Sequence, residues 1–192
     1  LKNKNYIFNE KYNVYSKINN DYFPEKYNEK IKNKTLNEYI FEVGNRKIKL
    51  SLYFDDLKSN YLMNCFKKIY TWLHIVSKYS LKKCSNTLKI SIYLLNEKKI
   101  LPYDDIKVLS INHINSAYAS VCWIDGEIVI FRKEEWFKVF LHESFHAFGL
   151  DFSYHSNTLI KRDLLKIFNI KSTMNVFETY TETWATIWHI SF

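Results

Sequence analysis

His142-Glu143-Ser144-Phe145-His146 constrains this 192-residue chain more than any other stretch. Histidines four apart meet on one face only if the segment is helical. On that face both imidazoles can hold a single zinc ion. The glutamate after the first histidine then reaches a water in the open fourth position as a general base. Such a helix must turn one side to the metal and another to a core, and the flanking residues supply both. Phe137, Phe140, Leu141, Phe145 and Phe148 recur at helical spacing on one side, while His142, His146 and Val139 lie on another with Glu143 at its flank. The helix is expected to begin near Glu134 and to end at Gly149, a residue suited to a left-handed C-cap.

The rest of the chain offers partners for that helix. Glu38 to Val43 and Arg46 to Phe54 alternate apolar and polar around Gly44-Asn45, a hairpin signal. Asp55-Asp56 offers an N-cap for a long helix over roughly 57–79. Leu88, Ile90, Ile92 and Leu94 mark a strand over 87–95. Ser116 to Trp123 and Glu127 to Phe131 read as a second hairpin around Ile124-Asp125-Gly126. A short helix is expected over Thr158–Phe168 and a long one over Thr173–His189. The last carries Phe177, Tyr180, Trp184, Ile187 and Trp188 on its apolar side and Glu178, Glu182, Ala185 and His189 on the other. Residues 1–36 read as a polar, lysine-rich arm with room for short helices, and residues 37–192 as one domain. His74 and His189 read as packed or surface residues rather than ligands.

Composition excludes some classes. Apolar residues make up 47% and aromatics 18%, enough for a large core. No run of eighteen apolar residues exists, so no membrane-spanning helix is predicted. The first residues lack the apolar segment of a signal peptide, which points to a cytoplasmic, host-cell cytoplasmic or virion location. The initial Leu1 leaves open that the chain is a piece of a longer protein. Cys65, Cys84 and Cys122 are odd in number and lack metal-type spacing, so three reduced, buried thiols are expected. The net charge of +8 is uneven: residues 1–49 hold eleven Lys/Arg against six acids, residues 50–100 nine against three, and residues 101–192 eight against eleven. A basic first half suits a solubilising surface. Nucleic-acid contact is the alternative, with no recognition motif beside it.

Zinc held by two histidines needs a third protein ligand. The extended pattern HExxHxxGxxH fails, because its last histidine falls on Phe152; Asp151 is one residue off and His155 three residues further on. The cysteines have no suitable spacing. A carboxylate from another helix is left, and Glu178-x-x-x-Glu182 presents two on one face. HExxH followed by a later helix with this glutamate pair resembles the gluzincin metallopeptidases, the class of thermolysin and lethal factor. The stretch from Gly126 through Glu143 to Phe152 is also similar to a zincin family of large DNA viruses. The resemblance covers roughly residues 110–190 and departs from the class in the long spacer between His146 and Glu178, which leaves Glu178 versus Glu182 open as the third ligand.

The resemblance implies a zincin-like α+β fold: a small, mostly antiparallel sheet with an edge strand, a backing helix, the HExxH helix and a C-terminal glutamate helix. It implies zinc on His142, His146 and Glu178, with Glu143 as base and Glu182 steadying a ligand. The expected activity is peptide-bond hydrolysis of a peptide or protein substrate by zinc-activated water. Ala117, Tyr118 and Ala119, on the strand before the active-site hairpin, are the candidates to line a substrate groove by β-augmentation. Tyr154, His155 and Tyr180 are candidate oxyanion donors. The rivals are a catalytically silent zinc-binding interaction or virion protein, and a basic nucleic-acid-binding module.

Overall fold

The computed structural model describes residues 6–14, 17–55, 58–100, 111–153, 155–169, 171 and 173–192. Six strands form one sheet: β1 (Tyr6–Val14), β2 (Lys34–Val43), β3 (Arg46–Phe54), β4 (Thr87–Leu95), β5 (Ala117–Ala119) and β6 (Asp125–Arg132). Their spatial order is β1-β2-β3-β4-β6-β5. The helices are α1 (Ser59–Tyr79), α2 (Ile111–Ile114), α3 (Trp136–Ala147), α4 (Thr158–Ile167) and α5 (Val176–Ser191).

Side-chain alternation splits the core into two layers. Tyr39, Phe41 and Val43 of β2, Ile48, Leu50 and Leu52 of β3, Leu88, Ile90 and Ile92 of β4, and Ile128 and Ile130 of β6 face one way. There they meet Leu62, Phe66, Ile69 and Leu73 of α1 and Phe137, Phe140 and Leu141 of α3. The alternate residues Leu36, Tyr53, Tyr93, Leu95, Val129 and Phe131 face the other way and are covered by Phe23, Tyr27 and Ile31. The first 36 residues are therefore no loose arm where they are described. β1 pairs antiparallel with β2, and the segment around the 3-10 turn Glu25–Tyr27 closes the second face. Those aromatics gave no periodic signal because a segment lying across a sheet has no fixed repeat.

The sheet is mixed rather than mostly antiparallel. The β1–β2, β2–β3 and β5–β6 pairings are antiparallel, but β3–β4 and β4–β6 are parallel. The cause lies in the connections: α1 carries the chain back between β3 and β4, so these two run the same way. The expected α+β class holds, and the β2–β3 hairpin turns at Gly44, whose φ is +58°. The long helix starts at Ser59 behind Lys58 with no side-chain cap; Asp56 and Leu57, named for its start, lie outside the described residues. The last helix starts at Val176, three residues later than the pattern implies.

The thiol expectation needs a correction. Cys84 and Cys122 form a disulfide across 38 residues, and only Cys65 is a buried free thiol. Neither spacing nor parity reveals it, because the two cysteines meet through the β4–β6 pairing. No described helix is long and apolar enough to cross a membrane.

Candidate metal centre

Packing and hydrogen bonds together fix the histidine helix α3. Its apolar stripe, including Phe140, Phe145 and Phe148, is buried against the sheet and α1. Trp72 of α1 donates its indole N–H to the buried Ser144 hydroxyl at 2.6 Å, and that hydroxyl donates to the Leu141 carbonyl. This sets the roll of the helix, so His142 and His146 turn away from the sheet.

The helix ends in a Schellman motif, with Gly149 N–H donating to the His146 carbonyl and Leu150 N–H to the Phe145 carbonyl. Gly149 sits at φ +66°, where a Cβ would also stand 2.9 Å from Cys84 Sγ, so glycine is required twice over. The Cys122 N–H donates to the same His146 carbonyl, and the Ser85 hydroxyl to that of Ala147. The disulfide thus packs beneath the second histidine.

α5 supplies the carboxylates. Its contact stripe holds Thr181 and Ala185, both fully buried small residues that let the backbone approach α3 closely. Glu178 and Glu182 lie on the same stripe and reach the imidazoles. The His142 Nε2 and His146 Nε2 atoms are 3.1 Å apart, and Glu178 Oε2 stands 3.2 Å from the first and 3.5 Å from the second. Donor atoms around a tetrahedral ion with bonds of about 2.0–2.2 Å stand roughly 3.3–3.6 Å apart. Two sides of the triangle are one or two tenths of an ångström shorter than in such a site and the third falls within its range, and these three residues form a group that could hold a metal ion.

The outer nitrogens are oriented as metal-binding imidazoles require. His146 Nδ1 lies 2.7 Å from Oδ2 of the fully buried Asp151, and His142 Nδ1 lies 3.1 Å from Glu182 Oε2. A carboxylate on Nδ1–H fixes the tautomer that leaves the Nε2 lone pair facing inward. Glu182 also pairs with Lys138. Asp151 was missed as a site residue, because it was weighed only as a direct ligand. The available signal was its place just beyond Gly149, where the chain turns back past the second histidine.

The charges of the cluster are set by its own neighbours. Glu178 is held far below the usual carboxylate range by hydrogen bonds from His142 first and His146 second. Burial by itself would lower His146, but bonds to Asp151 and Glu178 outweigh it and push its pKa up to about 10. Burial pushes Glu143 up, against the pull of the two imidazoles. Burial likewise opposes ionisation of Asp151 and Glu182, yet the hydrogen bond to His146 in the one case and Lys138 in the other keep both low. Asp151, Glu178 and Glu143 thus all favour the proton on His146.

Glu143 lines a cleft of about 230 Å3 with His142, Glu182, Lys138, Ser116 and Ala117. Along that cleft runs β5, an edge strand shorter than the eight residues expected of it. Ala117 and Ala119 face the helix layer, but the Tyr118 ring points to the opposite face, where it meets Tyr22. Tyr180 meets Phe152 edge to face and lines an apolar cavity with Trp184, away from this cleft. His155 is exposed, and Tyr154 lies outside the described residues. His189 packs near Phe137, and His74 bonds the Tyr70 carbonyl on the surface of α1. No protein family, curated protein or solved structure matches this chain.

Proposed function

We propose that the chain is a zinc-dependent metallopeptidase of gluzincin type, with zinc held by His142, His146 and Glu178. The triangle of two Nε2 atoms and one carboxylate oxygen, each imidazole backed by its own carboxylate, carries this reading. An ion-pair cluster serving stability alone has no need for two imidazole nitrogens facing each other at 3.1 Å. Zinc suits a His2Glu donor set, and when bound it would polarise a carbonyl and acidify a water.

The remaining steps belong to the protein. Glu143 takes the proton of the attacking water and passes it to the leaving amine; its upward-shifted carboxyl is better matched to that exchange than an exposed glutamate. Asp151 and Glu182 keep both imidazoles in the binding tautomer. The exposed edge of β5 offers backbone groups for an extended peptide, and Ala117 and Ala119 leave room beside them. The intact Glu143 favours catalysis over silent binding, because holding the metal does not require it.

Two measurements test the reading. Glu143→Gln should keep stoichiometric zinc and lose cleavage of a peptide library; equal cleavage by variant and wild type removes Glu143 from the mechanism. Zinc should be lost in Glu178→Ala and only weakened in Glu182→Ala. Loss confined to the second variant reverses the ligand assignment.

A further inference from the structure

The catalytic reading leaves the basic first half of the chain unused. Part of it converges where the β2–β3 turn meets the C-terminal end of α1, around a cavity of about 630 Å3. Four cations line this cavity: Arg46 and Lys47 from the start of β3, Lys78 from α1 and Lys82 from the loop before β4. Among the described residues no carboxylate lines it. Among the described residues, Lys47, Lys78 and Lys82 have no carboxylate within ion-pair distance, unlike Lys34, Lys49 and Lys138, which do. Arg46 is 7% exposed, and its guanidinium donates to the carbonyls of Cys84, Leu81 and Ser77. Those bonds hold the walls together, but they leave its charge without an anion.

Like charges gathered in one concavity raise the local potential and concentrate counter-ions there. The neutral walls are rich in donors: Asn45 and Asn86 carry amides, and the Ser77 hydroxyl is buried with no partner among the described residues. No aromatic ring lines the cavity, so it recognises charge and hydrogen-bond acceptors rather than a base or an apolar body. Its volume falls within the roughly 300–1,000 Å3 of small-molecule sites. Three point-charge ammonium groups and a buried guanidinium exceed what a single carboxylate neutralises, and ammonium groups are common phosphate binders.

We propose that this cavity is a binding site for a small multivalent phosphate, such as a pyrophosphate or phosphate-ester group, separate from the histidine cluster. The probe is inorganic pyrophosphate, titrated calorimetrically into the full chain at low salt. One saturable site is expected, weakened at least tenfold in the triple variant Lys47→Gln/Lys78→Gln/Lys82→Gln. All three positions are exposed, and an unchanged melting midpoint shows that the variant is folded. A second triple variant, Lys17→Gln/Lys58→Gln/Lys171→Gln, removes the same charge elsewhere and should bind within twofold of wild type. The titration is repeated on metal-free protein, where equal affinity is expected.

Equal weakening by both triples reduces the effect to net charge and overturns the proposal. So does loss of the site on metal removal, which places the anion on the metal. Binding of a single-stranded oligonucleotide or of anionic vesicles through Lys47, Lys78 and Lys82, with none of pyrophosphate, replaces the small ligand by a polymer or a membrane. None of these outcomes depends on peptidase activity.

Discussion

Asp151→Asn isolates the contribution of the residue that orients the second histidine. Asp151 is fully buried; one oxygen meets His146 Nδ1 at 2.7 Å, and the other accepts from the Ser153 N–H and hydroxyl at 3.2 and 2.8 Å. Asparagine has only one acceptor oxygen for these two duties. If it serves His146, its amide group faces the Ser153 N–H and leaves that partly buried donor unmatched. If it serves Ser153, two donors face each other at His146 Nδ1, and the tautomer that frees Nε2 is lost. Either arrangement forfeits one charge-assisted bond and strands a polar group, at a cost of about 1–3 kcal/mol. Carboxylates behind metal-binding histidines are worth about 10–100-fold in metal affinity, the same range at about 1.4 kcal/mol per tenfold. Zinc affinity of Asp151→Asn, measured by competition with a chromophoric chelator at pH 7, should therefore fall by about one to two orders of magnitude. The melting temperature of the metal-free protein should fall as well, because His146 is then an imidazolium without its nearest carboxylate. An affinity within twofold of wild type, on folded protein, would refute the claim that Asp151 sets the imidazole.

Four further outcomes rest on the same geometry. Bonds to Asp151 and Glu178 push the His146 pKa up to about 10, so zinc bound at this nitrogen would displace a proton; affinity should then rise about tenfold per pH unit from pH 7 to 9, and a flat profile counts against a metal there. For metal-free protein, the raised His146 adds stability in full below 6.5, lost as pH rises through about 10, and the lowered Asp151 and Glu178 add stability above about 4.5, lost as pH falls; denaturant midpoints should peak near pH 5–6.5. Reducing the Cys84–Cys122 link, which closes 38 residues, should cost about 4 kcal/mol by chain entropy, or very roughly 8–16 °C in melting temperature; an unchanged scan with dithiothreitol excludes a stabilising disulfide. Ala185→Leu should overpack the α3–α5 contact by about 1–3 kcal/mol and lower zinc content, whereas full zinc occupancy means Glu178 does not depend on that contact.

What the sequence made legible follows from period. The alternation of β2, β3 and β4 and the apolar stripe of α3 each repeat at the spacing of one element, so their burial could be read residue by residue. The glutamate helix was legible for the same reason, since Glu178 and Glu182 share a stripe with Ala185. The parallel pairings, the disulfide and the lining of the second sheet face join segments that are distant in sequence and have no common period. Tyr118 shows the limit at a finer scale. The strand was recognised, but its alternation sends this ring to the opposite face from Ala117 and Ala119, so the three do not share a groove.

The two halves of the centre are held with unequal firmness, and this decides how metal would be lost. α3 is fixed by the Schellman turn, by the Cys122 N–H on the His146 carbonyl, by the Ser85 hydroxyl on the Ala147 carbonyl and by the Trp72–Ser144 bond. α5 buries only Val176, Thr181 and Ala185, and α4, which precedes it, buries no residue at all. Its attachment rests on Thr181 and Ala185 against α3 and on Trp188 and Phe192 against Trp72. Local opening free energies follow the density of buried contacts. The carboxylate ligand should therefore leave the histidines before the histidines part from each other. Hydrogen exchange of the metal-free protein should show α5 opening at a lower free energy than α3, with zinc protecting α5 more. Protection gained mainly in α3 would reverse the order.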